Sequence, residues 1–181
     1  MKEGEMKKGF YRTSQIVGAA VFALALSAQV SHADTEASEL SVAATVVASC
    51  ALGTSPVAFG DVDMTTGQPV NATGSLLITC TPDLAWYAEP DAGEGEGATI
   101  ESPLMTREGG GATLLYNLYT DAAHTNPWDV GYTNENANGS AITGTGTGSQ
   151  QTVTVYGRIP SGQAVAPSGA YADTITVTLH W

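Results

Sequence analysis

From Asp34 onward the apolar residues recur at every second position or in short unbroken runs, and nowhere at the spacing of a helix. Gly, Thr, Ser, Asn and Pro interrupt these runs every few residues, so an all-β fold is expected. The longest alternation covers 39–50, with Leu40, Val42, Ala44, Val46, Ala48 and Cys50 on one face. A short extended piece follows at 57–59, ended by Gly60. Strands are predicted over 73–80, over 84–88 with Trp86, and over 113–120, which is apolar on both faces as a central strand is. Residues 151–159 alternate Val153 and Val155 with Thr152 and Thr154. Residues 174–181 alternate Ile175, Val177, Leu179 and Trp181 with Thr174, Thr176, Thr178 and His180. The acidic, glycine-rich stretch 89–111 and the Asn/Gly-rich stretch 121–149 read as loops, the second with room for a short hairpin.

The first residues have a different character. Lys2, Lys7, Lys8 and Arg12 precede the apolar run Ile16 to Ala28, and Ser31-His32-Ala33 places small residues at both cleavage positions, the pattern of a secretory signal over 1–33. The apolar run is shorter than the roughly 20 residues that span a bilayer as helix. Every lysine lies in this signal, leaving Arg107 and Arg158 as the fixed cations against all but two of the 18 acidic residues. So anionic a surface repels phosphate backbones and acidic lipid, which argues against nucleic-acid partners. In an oxidising compartment the pair Cys50 and Cys80 reads as one disulfide.

Of the strands, six are substantial: 39–50, 73–80, 84–88, 113–120, 151–159 and 174–181. A constant-type immunoglobulin sandwich uses seven. The expected fold is therefore an incomplete immunoglobulin-like β-sandwich lacking its last strand, with a groove and an unpaired backbone edge along Ile175, Val177, Leu179 and Trp181. The first strand is long enough for two tasks, since 12 residues reach about 40 Å. Residues 46–50 are expected to join the chain's own sheet. Residues 34–45 are expected to project as a donor strand, with Leu40, Val42 and Ala44 as knobs for another copy's groove. Such a head-to-tail contact does not close and generates filaments. Strand counting alone does not separate this arrangement from a monomer whose first strand folds back into its own sandwich. The domain division is thus signal 1–33, donor extension 34–45 and sandwich 46–181.

A set of short words runs through the chain in order: Val47-Ala48-Ser49-Cys50, Phe59-Gly60-Asp61, Ile78-Thr79-Cys80-Thr81, Leu115-Tyr116-Asn117-Leu118-Tyr119-Thr120-Asp121, Trp128, Val155-Tyr156-Gly157-Arg158-Ile159-Pro160 and Gly169-Ala170-Tyr171-Ala172-Asp173-Thr174. In this order they resemble the spore coat protein U domain family, which includes secreted subunits of archaic chaperone–usher pili such as the Csu biofilm pilus. The resemblance implies a periplasmic chaperone that lends the missing strand, an outer-membrane usher, and exchange of the chaperone for a neighbouring subunit's N-terminal strand. It also implies a surface pilus serving adhesion and biofilm formation. The insert Asp91-Ala92-Gly93-Glu94-Gly95-Glu96-Gly97 is longer than the family leads one to expect.

Other chemistry is weaker. Asp91, Glu94, Glu96 and Glu101 are hard ligands suited to calcium, but no EF-hand spacing joins them, and a solvated acidic loop is the plainer reading. His124 with Asp121 and Asp129 suggests hydrolase chemistry, yet all three lie in one segment without a nucleophile elbow. Trp86, Trp128 and Tyr132 are candidates for a sugar-binding patch, with core packing favoured for Trp86. Asn71-Ala72-Thr73 and Asn138-Gly139-Ser140 match glycan acceptors. No cofactor, metal site or catalytic residue is expected. The functional expectation is a non-enzymatic pilus subunit; the alternative is a monomeric secreted coat protein that binds matrix carbohydrate.

Overall fold

The computed structural model describes residues 34–130 and 140–181. The expected signal 1–33, Tyr132 and most of the Asn138 glycan acceptor lie outside them. The chain divides into two units, Met1–Ala43 and Ala44–Trp181. In the first, residues 34–43 form no strand.

The second unit is built from antiparallel strands: β1 (Cys50–Ser55), β2 (Val70–Cys80), β3 (Ala85–Pro90), β4 (Leu104–Arg107), β5 (Thr113–Leu115), β6 (Asn117–Tyr119), β7 (Ile142–Thr145), β8 (Gln151–Ile159), β9 (Tyr171–Ala172) and β10 (Val177–His180). The long alternating strands β2 and β8 pair from Val70↔Ile159 to Ile78↔Gln151 and make the centre of a four-stranded sheet, β1-β2-β8-β6. Their inward residues Leu76, Ile78, Cys80 and Val155 are buried against Trp86 and Ala88 of β3 and Ile142 of β7. The facing layer holds two three-stranded sheets, β10-β3-β7 and β5-β4-β9. A second core cluster, Leu114, Tyr116 and Ile159, joins the β5 region to the far end of β8.

Five of the six predicted strands are found near their expected places. The first is not: residues 34–48 form no strand, Ser49 bonds to Thr81 through its amide and carbonyl, and the strand starts at Cys50, where the alternation was expected to end. Alternation states that a segment has one apolar face; it does not supply the surface that covers it. Of residues 46–50, expected to join the chain's own sheet, Cys50 lies in β1 and Ser49 bonds to Thr81, whereas Val46 and Val47 are 85% and 72% exposed. Residues 113–120 are two strands, not one. The Tyr116 amide donates to Pro103 O at 3.2 Å and the chain changes layers there, with β5 on β4 and β6 on β8. Apolar residues on both faces reflect that crossing. The expected loops also contain short strands, β4 within 89–111 and β7 within 121–149, and with β9 the described residues hold ten strands where six substantial ones were expected.

Candidate functional site

An open cavity of about 1130 Å³ lies between two walls, residues 54–65 and residues 165–175 with Val177. Leu76, Leu114, Leu118, Val155 and Ile159 contribute its apolar floor. The first wall exists because the sheet beneath it lacks two side chains. A Cβ on Gly74 of β2 would lie 2.7 Å from Val57 Cγ2, and one on Gly157 of β8 would lie 2.5 Å from Val57 Cγ1 and 2.9 Å from the Phe59 ring. Residues 57–59 therefore cross closely over the inner face without forming a strand. Gly60, with φ 67°, turns the chain, and Asp63 caps the short 3-10 helix Met64–Thr66 by accepting from the Thr65 amide. Two hydrogen bonds from Thr65 hold the Asp63 carboxyl below its ordinary range.

The second wall runs from β9 into β10. The Glu108 amide donates to Ala170 O, the Asp91 amide to Thr176 O, and Thr178 and His180 pair with Glu89 and Tyr87. Main-chain groups alternate sides along an antiparallel strand. Even-numbered residues here face β3 and β4, so Ile175, Val177 and Leu179 turn their N–H and C=O groups to the other side. Among the described residues no strand pairs with that edge. The side chains of the same three residues pack inward: Ile175 on the lower core, Val177 and Leu179 on the upper. Of the four predicted edge residues, Ile175 and Val177 line the cavity. Leu179, His180 and Trp181 instead line a smaller recess with Ala85 and Tyr87, and Trp181 is 57% exposed.

The wall carries a polar element that the sequence did not reveal. Tyr116 donates its hydroxyl to Asp173 Oδ2 at 2.7 Å, and Asp173 Oδ1 accepts from the amides of Glu94 at 2.8 Å and Thr174 at 2.9 Å. Burial, reinforced by the hydrogen bond and charge of Asp173, pushes the Tyr116 phenol far above its ordinary range. Asp91 reciprocates by accepting from the amides of Thr176 at 2.9 Å and Gly93 at 3.0 Å. Burial pushes the Asp91 carboxyl up, but the donors of Thr176 and Gly93 outweigh it and hold it low. Gly93 is required here: its φ is 78° and a Cβ would strike the Asp173 carboxylate. Gly93 and Gly95 of the insert serve close packing, and the signal for Gly93 was the Asp-x-Gly spacing of a local Asx turn.

In the predicted donor segment, Leu40 and Val42 are 88% and 86% exposed and Ala44 is exposed. The chain becomes fixed at Ser49, whose carbonyl accepts from the Thr81 amide at 2.9 Å. The disulfide Cys50–Cys80 forms as expected, between directly opposed residues of β1 and β2.

The other candidates resolve into structural roles. Trp86 and Trp128 are both buried, and Trp128 Nε1 donates to Ala88 O at 3.0 Å, so neither forms a surface patch. His124 Nδ1 lies 3.0 Å from an Arg158 nitrogen, while the Asp121 carboxylate accepts from the amides of Thr125 and Asn126. Asp91 is engaged as above, and among the described residues no group of three or more His, Cys, Asp or Glu side chains gathers to hold a metal. Among those residues no helix is long and apolar enough to cross a membrane.

The Spore Coat Protein U domain matches residues 36–178. Protein U of Myxococcus xanthus is 33% identical over 163 residues, which is 82% of this chain and 86% of that protein. A solved chain from the CsuC-CsuE chaperone-tip adhesion subunit pre-assembly complex of the archaic chaperone-usher Csu pili of Acinetobacter baumannii superposes with a TM-score of 0.53 at 19% identity. The match covers 76% of this chain and 40% of that one. That likeness concerns the fold: an all-β sandwich of the kind found in a chaperone–usher pilus complex. The chain belongs to the Spore Coat Protein U domain family.

Proposed function

We propose that the chain is a structural, non-enzymatic subunit of a chaperone–usher pilus. In this reading it is exported with residues 1–33 as its signal and is built into a cell-surface filament serving adhesion and biofilm formation. Residues 34–45 of one copy fill the groove of the next, and a periplasmic chaperone fills it until an outer-membrane usher drives the exchange. The observation that carries this reading is the pairing of two deficits: an apolar groove beside an unpaired strand edge, and an exposed segment with apolar residues at alternate positions. An added strand satisfies the outward main-chain groups of Ile175, Val177 and Leu179. Leu40 and Val42 entering the groove would each contribute about 1.5 to 3 kcal/mol.

The test is to delete residues 34–44 and follow assembly. Without a chaperone the intact chain, freed of its signal, should polymerise or lose structure on purification. The deleted chain should fail to polymerise yet still be held soluble by an added peptide of residues 34–49. A stable monomer whose unfolding is unchanged by the deletion would instead favour a closed coat protein.

A further inference from the structure

Residues 173–176 lie between β9 and β10, outside any assigned strand, and yet Asp173, Thr174 and Ile175 line the groove. A single ladder bond reaches them, from the Asp91 amide to Thr176 O, and side chains supply the rest. These are two aspartates, each lending its carboxylate to the other's segment: Asp91 to the Thr176 amide, Asp173 to the Glu94 amide. The Asp91 amide completes the clasp by donating to Thr176 O at 2.9 Å. Because the Thr176 N–H and C=O are both taken up on this side, the groups of Ile175 and Val177 face the open edge.

We propose that Asp91 is a positioning residue for strand uptake, its carboxylate holding residues 173–176 extended so that the groove wall is ready before its occupant arrives. This rests on the reading of the groove as a strand acceptor. Without the Asp91 carboxylate the Thr176 amide loses its partner on the inner side. An incoming strand then has to order the wall as it docks. Preorganisation acts by removing that cost from the binding step, so its loss should fall on the association rate more than on the departure of a strand already paired. The acidic insert thereby acquires a role that needs no metal.

The experiment measures uptake of a labelled peptide of residues 34–49 by the full chain without its signal, at low protein concentration. Trp128, buried in the groove floor, serves as the fluorescent reporter. Asp91→Ala is expected to slow association by on the order of tenfold, the equivalent of ordering about one residue, with a smaller change in dissociation. Asp91→Asn retains an oxygen that accepts from both amides and should restore association to within about threefold of the original. Gly93→Ala, whose Cβ would displace the Asp173 carboxylate, should slow association without altering Asp91. If Asp91→Ala fails to fold, the Asn and Gly93 variants carry the comparison. Association unchanged in Asp91→Ala or Gly93→Ala, or slowed equally by Asn and Ala, overturns the proposal. Failure of the unaltered chain to take up the peptide overturns the acceptor reading, and this inference with it.

Discussion

Tyr116 and Asp173 meet in the groove wall, hydroxyl to carboxylate at 2.7 Å, across 57 residues of sequence. Tyr116 stands where the chain crosses between layers, and Asp173 where it passes from β9 toward β10, so one bond ties the two switch points. Tyr116→Phe should destabilise the fold by about 1.5 kcal/mol, the low end for a bond to a charged group, because Asp173 keeps two amide donors. Urea unfolding should show a lower midpoint at an unchanged slope. The sign with pH follows from the raised phenol. Stability from this group is complete below the ordinary value of 10.0 and declines as pH rises above it, because the unfolded tyrosine loses its proton first. Midpoints measured from pH 8 to 11 should fall less steeply in Tyr116→Phe than in the unaltered chain.

The acid side runs in the opposite direction. Asp91, Asp63 and Asp121 each have a folded carboxyl held below the ordinary 3.8. For Asp121 the leading cause is the Asn126 amide. Their contribution is present above 3.8 and is lost as pH falls through the lower folded values. Urea midpoints should therefore decline below about pH 4. Asp91→Asn should flatten part of that decline, as its side chain accepts the same amides without titrating. Glu94 and Asp173, the charged neighbours in the clasp, remain in that variant.

Much of this fold was legible because burial imposes a period of two on the strands that form the core. β8 was predicted at its observed bounds, and its inward Val155 and Ile159 are 3% and 2% exposed. Ile175, Val177 and Leu179 share a face and an edge as the alternation implied. What the pattern did not give was the identity of the partner. Leu40, Val42 and Ala44 alternate as well as any core strand and yet lie exposed, since period-two patterning is the same whether the covering surface belongs to the chain or to another molecule. The Asp91–Asp173 clasp was hidden for another reason: its bonds join residues far apart in sequence, through main-chain amides that carry no side-chain signature.

The disulfide closes an interval of 30 residues and opposes the first residue of β1 to the last of β2. Reduction should lower the unfolding free energy by about 3 to 4 kcal/mol on the chain-entropy model. Cys50 is where the chain enters the sheet, so β1 should fray from that end, and amide exchange should quicken at Ala51 and Leu52 before it does in β8. Acceleration no greater at Ala51 and Leu52 than in β8 would mean instead that the bond acts through global unfolding alone, without local fraying of β1.

Two glycines of the same sheet separate packing from strand propensity. Gly53 in β1 has ordinary room for a Cβ, its nearest neighbour being Leu77 Cβ at 3.6 Å, whereas a Cβ on Gly157 in β8 would lie 2.5 Å from Val57 Cγ1. Gly53→Ala should leave the unfolding midpoint unchanged or slightly raised, because alanine restricts the unfolded chain more than glycine does. Gly157→Ala should cost about 1 to 3 kcal/mol through overpacking. It should also push Val57 and Phe59 toward the groove and weaken uptake of the 34–49 peptide by more than the Gly53 variant does. If both variants bind the peptide equally, the position of residues 57–59 does not shape the groove, and its first wall must be set by the later residues of the 54–65 segment.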